Sequence, residues 1–426
     1  MRDFLATLIG KAIRFSLGFR SNGGHALPGL VIEKLFPSYV TSMLQKLPEG
    51  VVIITGTNGK TTTTKIVVHL LQANGKKVLT NPTGSNLIRG IASVLAQQST
   101  LTAKLPYDIA VLEIDEATAR RLVQQVKPRF VLGLNVSRDQ LDRFGEIDTI
   151  ASYVGAAMEQ SKEGIITNAG DPHLYKIAQQ VARDKKIPVH YFGAADKLSQ
   201  YFPSDYELAA VDEKQPKPST PKDMEVELAD FNAQEVVYKI DGKPYKTKLF
   251  LSGQHNYLNG AAALALCRQL LPDAKSGDLL SELSKVSLAF GRGEKYRLKN
   301  GGVVELVLVK NPASFTQALA SYGSENANLM IAINDNIADG RDVSWLWDVN
   351  FSPLKARKVF LTGGKRAADM ALRLSYDDIK TLSIEPSLSK ALKLLNQQSG
   401  RKVILSTYTA MLQFYKILSK QGEKIP

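Results

Sequence analysis

The chain has 426 residues, 44% hydrophobic and 22% charged, which suits two or three buried cores and excludes a tail, a fibre or a secreted scaffold. A net charge of +13 and a pI near 9.5 attract polyanions such as anionic lipid or a phosphorylated substrate. No DNA- or RNA-binding signature is present, so nucleic acid is set aside as a partner.

The single cysteine, Cys267, stands in the apolar run AAALALCRQLL. It reads as a buried side chain and excludes both an internal disulfide and a Cys-rich zinc site. His25, His69, His173, His190 and His255 lack the HxxxH or HxH spacing of a metal site.

In the first twenty residues Phe4, Leu5, Leu8, Ile9, Ala12 and Ile13 fall at helical spacing, with Arg2, Lys11, Arg14 and Arg20 between them. This is a short basic amphipathic helix that either packs on the following domain or lies on a membrane surface. It lacks the cleavage site and long apolar core of a signal peptide, and no run of about 18 apolar residues exists to span a bilayer. The chain therefore reads as cytoplasmic, with the inner face of the plasma membrane as the alternative setting.

Next comes VVIITGTNGKTTTTK, Val51 to Lys65, where an apolar strand meets a Gly-Lys-Thr loop and a helix. Gly56 and Gly59 allow the tight turn, Thr57 and Asn58 shape the loop, and Lys60 opens the helix. Backbone amides then face a nucleoside triphosphate. Lys60 reaches its β/γ-phosphates, Thr61 offers a hydroxyl to Mg²⁺, and Thr62 stands behind. The spacing is shorter than GxxxxGK[ST].

Strand signals at Lys77–Asn81, Tyr107–Asp115, Arg129–Val136 and Glu163–Asp171 alternate with helical stretches. They predict a mostly parallel sheet covered by helices, with ligands at the C-terminal ends of the strands. Glu113 falls at such an end and is the metal candidate, with Asp115 and Glu116 as alternatives. From about residue 184 to 248 the sequence turns polar, with Pro203, Pro216, Pro218 and Pro221, then alternates like a β-hairpin. After FGRGEKYR, Phe290–Arg297, four more strand signals mark a second α/β domain. The expected layout is a helical segment 1–45, an ATP-binding domain 46–297 with a small β insertion, and an α/β domain 298–426.

GTNGKTTT, the Glu of LEIDEA, LNVSRDQLDRFGE, ITNAGD, GQHNYLN and FGRGE follow in the order and approximate spacing of the Mur ligase superfamily, whose members form amide bonds with ATP. LVKNPASFTQAL, INDNIADGRDVSWLWDVNF, LTGGKRAADMALRL, STYTAML and the earlier HALPGL resemble its MurT-like branch, over nearly the whole chain. The resemblance implies a Mur-ligase-like α/β fold. It further implies phosphorylation of the D-isoglutamyl α-carboxylate of lipid II by ATP, and displacement of the phosphate by ammonia from a GatD-like glutaminase subunit. By resemblance His255 and Asn256 lie near the adenine and Arg292 reaches the nucleotide. An Asp of DGRDVSWLWD completes the glutaminase's triad: Asp348 first, Asp342 second, with Asp339 also available. Trp345 and Trp347, the chain's only tryptophans, suit a partner surface.

Two departures from the branch matter. The insertion has no cysteine, so no zinc is expected, and Gln140 in Asp139–Gln140–Leu141–Asp142 stands where the superfamily often has a histidine. Carbamylation of Lys162 is left open. The alternatives are an amino-acid ligase working without an amidotransferase, and a non-catalytic ATP-binding regulator at the membrane.

Overall fold

A computed structural model describes residues 1–18, 27–81, 86–137, 147–202, 223–232, 235–249, 253–286, 292–298, 302–322, 327–355 and 359–425. Asp139–Asp142, Phe290, His25 and the four prolines of the insertion lie outside these residues.

The described chain opens with three helices, α1 (Arg2–Gly18), α2 (Leu27–Leu35) and α3 (Tyr39–Leu44). Strands and helices then alternate: β1 (Val51–Thr55), α4 (Lys60–Ala73), β2 (Val78–Leu79), α5 (Ile88–Gln98), β3 (Ile109–Glu113), α6 (Glu116–Leu122), β4 (Phe130–Gly133), α7 (Ile147–Met158), β5 (Gly164–Asn168), α8 (Pro172–Lys185) and β6 (Val189–Ala194). β7 (Val226–Phe231), β8 (Val236–Ile240), β9 (Lys243–Thr247), α9 (His255–Leu270) and α10 (Ser276–Leu283) complete the first sheet and its cover.

The sheet order is β2-β3-β1-β4-β5-β6-β7-β8-β9, parallel up to the β6–β7 pair and antiparallel beyond it. Every residue of β1 is buried, as a central parallel strand with helices on both faces requires. Val51 and Ile53 pack into one core with α5 residues, Val52 and Ile54 into another with α4 and α9. Burying each such aliphatic side chain stabilises the fold by roughly 1.5–3 kcal/mol. The antiparallel strands of the expected small β insertion extend this sheet, because β7 pairs with β6 through Phe192 and Val226.

A second sheet contains β10 (Arg292–Leu298), β11 (Val303–Leu308), β12 (Asn328–Ala332), β13 (Val359–Gly363), β14 (Thr381–Glu385), β15 (Lys402–Ser406) and β16 (Gly422–Ile425), in the order β14-β13-β12-β15-β11-β10-β16. Helices α11 (Pro312–Tyr322), α12 (Ala367–Ser375), α13 (Leu388–Asn396) and α14 (Tyr408–Gln421) cover it. β10 and β16 join it antiparallel at one edge, so the sheet takes in Arg292–Leu298, ahead of residue 298. Both sheets are parallel at their centres and present the C-terminal ends of those strands to loops, which is where α/β folds hold ligands.

Candidate active site

The loop after β1 is shaped by two glycines that no other residue replaces without strain. Gly56 and Gly59 have φ of +124° and +88°, and a Cβ on Gly59 would stand 2.3 Å from Asn259 Oδ1. Asn135, after β4, holds the loop from the side. Its carbonyl accepts from Thr57 N at 2.9 Å, its Oδ1 accepts from Asn58 N at 2.9 Å, and its Nδ2 donates to Asn58 O at 3.0 Å. Ser137 N donates to Thr57 Oγ1 at 3.0 Å, and Asn58 Nδ2 donates to Ser137 Oγ at 3.1 Å. The loop is thus fixed by the protein's own hydrogen bonds.

Lys60, the first residue of α4, is buried and folds back over the loop. Its ammonium donates to the Gly56 carbonyl, to Thr57 O at 3.4 Å and to Glu116 Oε1 at 3.3 Å. Burial works to raise the Glu116 carboxyl, but Lys60 and the more distant Lys310 outweigh it and hold the group below its ordinary value. Asp115 caps α6 by accepting from Thr118 N at 2.8 Å, and its burial pushes its carboxyl above the ordinary value. Glu116 is therefore the anion facing the loop lysine, while Asp115 is committed to the helix end.

Thr61 Oγ1 donates to Glu113 Oε1 at 2.9 Å, which brings a hydroxyl and a carboxylate oxygen together beside the helix N-terminus. Glu113 is fixed at the end of β3, where its backbone pairs both ways with the Asn81 amide at 2.7 and 2.9 Å. Hard oxygen donors one hydrogen bond apart suit Mg²⁺. The buried hydroxyls of Thr62, Thr63 and Thr64 have no hydrogen-bond partner among the described residues. Among the described residues no group of three His, Cys, Asp or Glu side chains gathers to hold a metal.

His255 and Asn256 begin α9, and Asn256 is fully buried with its Oδ1 accepting from Asn259 Nδ2 at 3.1 Å. That pair joins the GQHNYLN segment to Gly59. Arg292 opens β10, and its side chain lies outside the described residues. Lys162 is exposed on the turn before β5, at the N-terminal end of the sheet, away from the phosphate loop. Cys267 is buried, and burial pushes its thiol far up.

The second sheet sends two side chains across to the loop. From the LVKNPAS segment after β11, Lys310 Nζ donates to Thr57 O at 2.9 Å, and Asn311 Nδ2 donates to Asn58 Oδ1 at 3.2 Å. In sequence that segment is a mark of the family, and neither contact is legible from it. Their only local signal was a lysine and an asparagine just past an apolar strand.

The three acids of DGRDVSWLWD separate. Asp339 is buried, and its carboxylate accepts from Thr409 N at 2.7 Å and from the Thr409 hydroxyl. Asp342 is exposed, accepts from Ser344 N at 2.8 Å, and is held below the ordinary value by its hydrogen bonds from Ser344. Asp348 is exposed at the end of the 3-10 turn Ser344–Asp348. Beside it Trp347, 51% exposed, meets Tyr376 edge-on at 5.1 Å and lies over Arg373. Trp345 instead packs inward against Phe315.

With this geometry in place, comparison with known proteins identifies relatives. The Mur ligase middle domain family matches residues 54–267 and the MurT ligase C-terminal family matches residues 308–411. The chain is 31% identical over 99% of its length to the lipid II isoglutaminyl synthase (glutamine-hydrolyzing) subunit MurT of Streptococcus pneumoniae, 98% of which is covered. The subunit of the same name from Staphylococcus aureus is 28% identical, with 99% of both chains covered. Among solved structures, MurF from Acinetobacter baumannii superposes with a TM-score of 0.68 at 18% identity, covering 92% of this chain and 81% of that one. MurF from Thermotoga maritima in complex with ADP does so with a TM-score of 0.65 at 19% identity, covering 92% and 84%.

Proposed function

The chain belongs to the MurT branch of the Mur ligase superfamily, and from that premise we propose that it is the ATP-dependent synthetase subunit of a two-subunit enzyme that amidates lipid II. The observation that carries the proposal is the junction at the phosphate loop. Lys60 and Lys310 both donate to Thr57 O, and Thr61 pairs with Glu113 beside them.

The reaction needs a carboxylate brought against a triphosphate, two anions that repel in water. Loop amides and the α4 N-terminus hold the phosphates, Lys60 neutralises the β/γ oxygens, and Lys310 adds a second cation from the other sheet. Thr61 and Glu113 would hold Mg²⁺, which supplies further charge neutralisation at the transferring phosphoryl group. A carboxylate oxygen of the D-isoglutamyl residue attacks the γ-phosphorus and the bond to ADP breaks. Ammonia then adds to the carbonyl carbon, phosphate leaves, and the nitrogen loses a proton to give the amide. Glu116, paired with Lys60 in this structure, holds the lysine in place until phosphate replaces it as the counter-charge.

Ammonia is scarce at neutral pH, and the only cysteine is buried in α9, so a glutaminase subunit of the GatD kind supplies it. Asp348, on the exposed turn beside Trp347, completes that subunit's Cys-His pair by orienting the imidazole and stabilising its charge. Asp342 is the second choice. His255, Asn256 and Arg292 are assigned to the nucleotide. The complex works where its lipid-linked substrate is, at the inner face of the membrane.

The test is mass spectrometry of lipid II incubated with the protein, Mg-ATP and ammonium, with and without a co-purified glutaminase subunit and glutamine. Replacement of OH by NH₂ is the expected product, and glutamine dependence is expected only with the partner. An unchanged mass with ATP bound refutes amidation, and joining of an added amino acid would assign the chain as a ligase that needs no amidotransferase.

A further inference from the structure

Helix α1 reverses the usual polarity of a surface helix. The side that meets the rest of the chain is small and polar. Ala6 and Thr7 are fully buried, Thr7 Oγ1 shares a 2.8 Å hydrogen bond with Tyr39 OH, and a Cβ on Gly10 would stand 2.7 Å from Ala96 Cβ and 2.7 Å from Ile32 Cδ1. Asp3, the helix's one acid, turns the same way and accepts from Ser42 Oγ and Lys46 Nζ, each at 2.6 Å. At about 100° per residue the opposite side collects Phe4, Leu5, Leu8, Ala12 and Phe15. Phe4 is 41%, Leu5 44% and Phe15 72% exposed.

Cations border this apolar face. Arg2 is exposed at one margin, and Lys11 stands at the other with its ammonium on Gln97 O at 3.0 Å. We propose that the outer face of α1 docks on the surface of an anionic lipid bilayer, its aromatic and leucine side chains entering the boundary of the acyl chains while the basic margins meet the headgroups. Charge chooses this occupant. The face has a basic rim, carries no acid, and belongs to a chain of net charge +13. No described helix is long and apolar enough to cross a membrane, so the helix would lie along the surface. The inference rests on the proposed lipid-linked substrate only for placing a membrane near the active site.

The experiment is co-sedimentation of the full chain with two kinds of vesicle, phosphatidylglycerol mixed with phosphatidylcholine and phosphatidylcholine alone, both free of lipid II. Capture by the anionic vesicles that weakens with added salt is expected, and Phe4→Glu combined with Phe15→Glu should reduce it about tenfold or more. Both positions are exposed, so the melting temperature should hold, and Arg2→Gln should weaken capture by the anionic vesicles alone. No capture by anionic vesicles, or equal capture of the double variant, overturns the proposal. A wild-type dimer that the double variant dissociates assigns the face to a second copy and overturns it too. The assay contains no substrate and reads no turnover, so its result stands apart from that of the amidation assay.

Discussion

The phosphate loop and the Ser344–Asp348 turn both carry candidate catalytic groups, and the fold treats them in opposite ways. Around the loop, Lys60, Thr61, Glu113, Glu116, Asn135 and Lys310 bond to one another or to the loop backbone. Around the turn, Asp339 is consumed by Thr409, while Asp342 and Asp348 face outward beside a half-exposed tryptophan. The groups proposed to act within this chain are held in a network of its own side chains and backbone. The role proposed for Asp348, orienting a partner's histidine, asks for a carboxylate at the surface, which is where the turn presents it. The turn itself is held from within the chain, since Arg373 donates to Leu346 O at its middle and to Val349 O just past its end, at 3.1 Å each.

The sharpest way to break this contrast is to compare two nitrogen sources. Asp348→Asn keeps the shape of the side chain and removes its charge. In the serine-protease triad the matching change costs about 10⁴-fold, so glutamine-driven amidation should fall by about 10³–10⁴-fold while ammonium-driven amidation is unchanged. Equal rates with glutamine would move the role to Asp342. Lys60→Ala should instead lower both by about 10²–10³-fold, the usual cost of losing one preorganised charge donor, and leave co-purification with the glutaminase intact. Unchanged turnover would remove the loop from the mechanism.

Lys310→Ala probes whether the second sheet serves the loop. Its ammonium reaches a backbone carbonyl and acts on Glu116 only from a distance. A loss of about tenfold in kcat/KM for ATP-dependent amidation is expected, with both nitrogen sources affected alike. A loss confined to glutamine would place Lys310 on the partner's side of the comparison.

What the sequence made legible follows the range of the interactions. The strand, loop and helix of Val51–Ala73 are local, and their periodicity and glycines announce them. Glu113 could be read too, because the end of a buried parallel strand is a defined place. The roles of Asn135, Asn259 and Lys310 are set by approach from elements 77, 200 and 253 residues away from Asn58, Gly59 and Thr57 respectively, and no local pattern encodes that. The same cause explains why β7 to β9 read as a small β insertion whose place in the sheet the sequence does not assign. Alternation reveals a strand but not its neighbour, and the β6 strand that joins them to the sheet, VHYFGA, carries a weak apolar pattern. The apolar spacing of α1 was visible, but which side of it faces the body was not, since that depends on small residues such as Gly10 meeting Ala96 and Ile32.

A smaller effect tests whether the two regions are also separate in stability. Arg268, on α9, donates to Glu225 Oε1 at 2.7 Å and to both Asp241 oxygens, at 2.8 and 2.9 Å, and so ties the helix that carries Asn259 to the far strands of the first sheet. The contacts of His190 and Arg268 hold the Glu225 carboxyl at about 2, against an ordinary 4.5. A depressed carboxylate contributes fully above the unfolded value and loses its contribution as pH falls through 4.5 toward about 2. The unscreened shift corresponds to roughly 3 kcal/mol, which solvent screening of a partly exposed group reduces to about 1. Glu225→Gln should therefore be less stable than the wild type by about 1 kcal/mol near neutral pH, and the gap should close on acidification. Trp345 and Trp347 both lie in the second region, so tryptophan fluorescence reports that region while far-ultraviolet circular dichroism follows both. If the regions are independent, the variant shifts the dichroism transition and leaves the fluorescence transition in place; coincident shifts would mean that contacts such as Lys310 to Thr57 make the two sheets one cooperative unit.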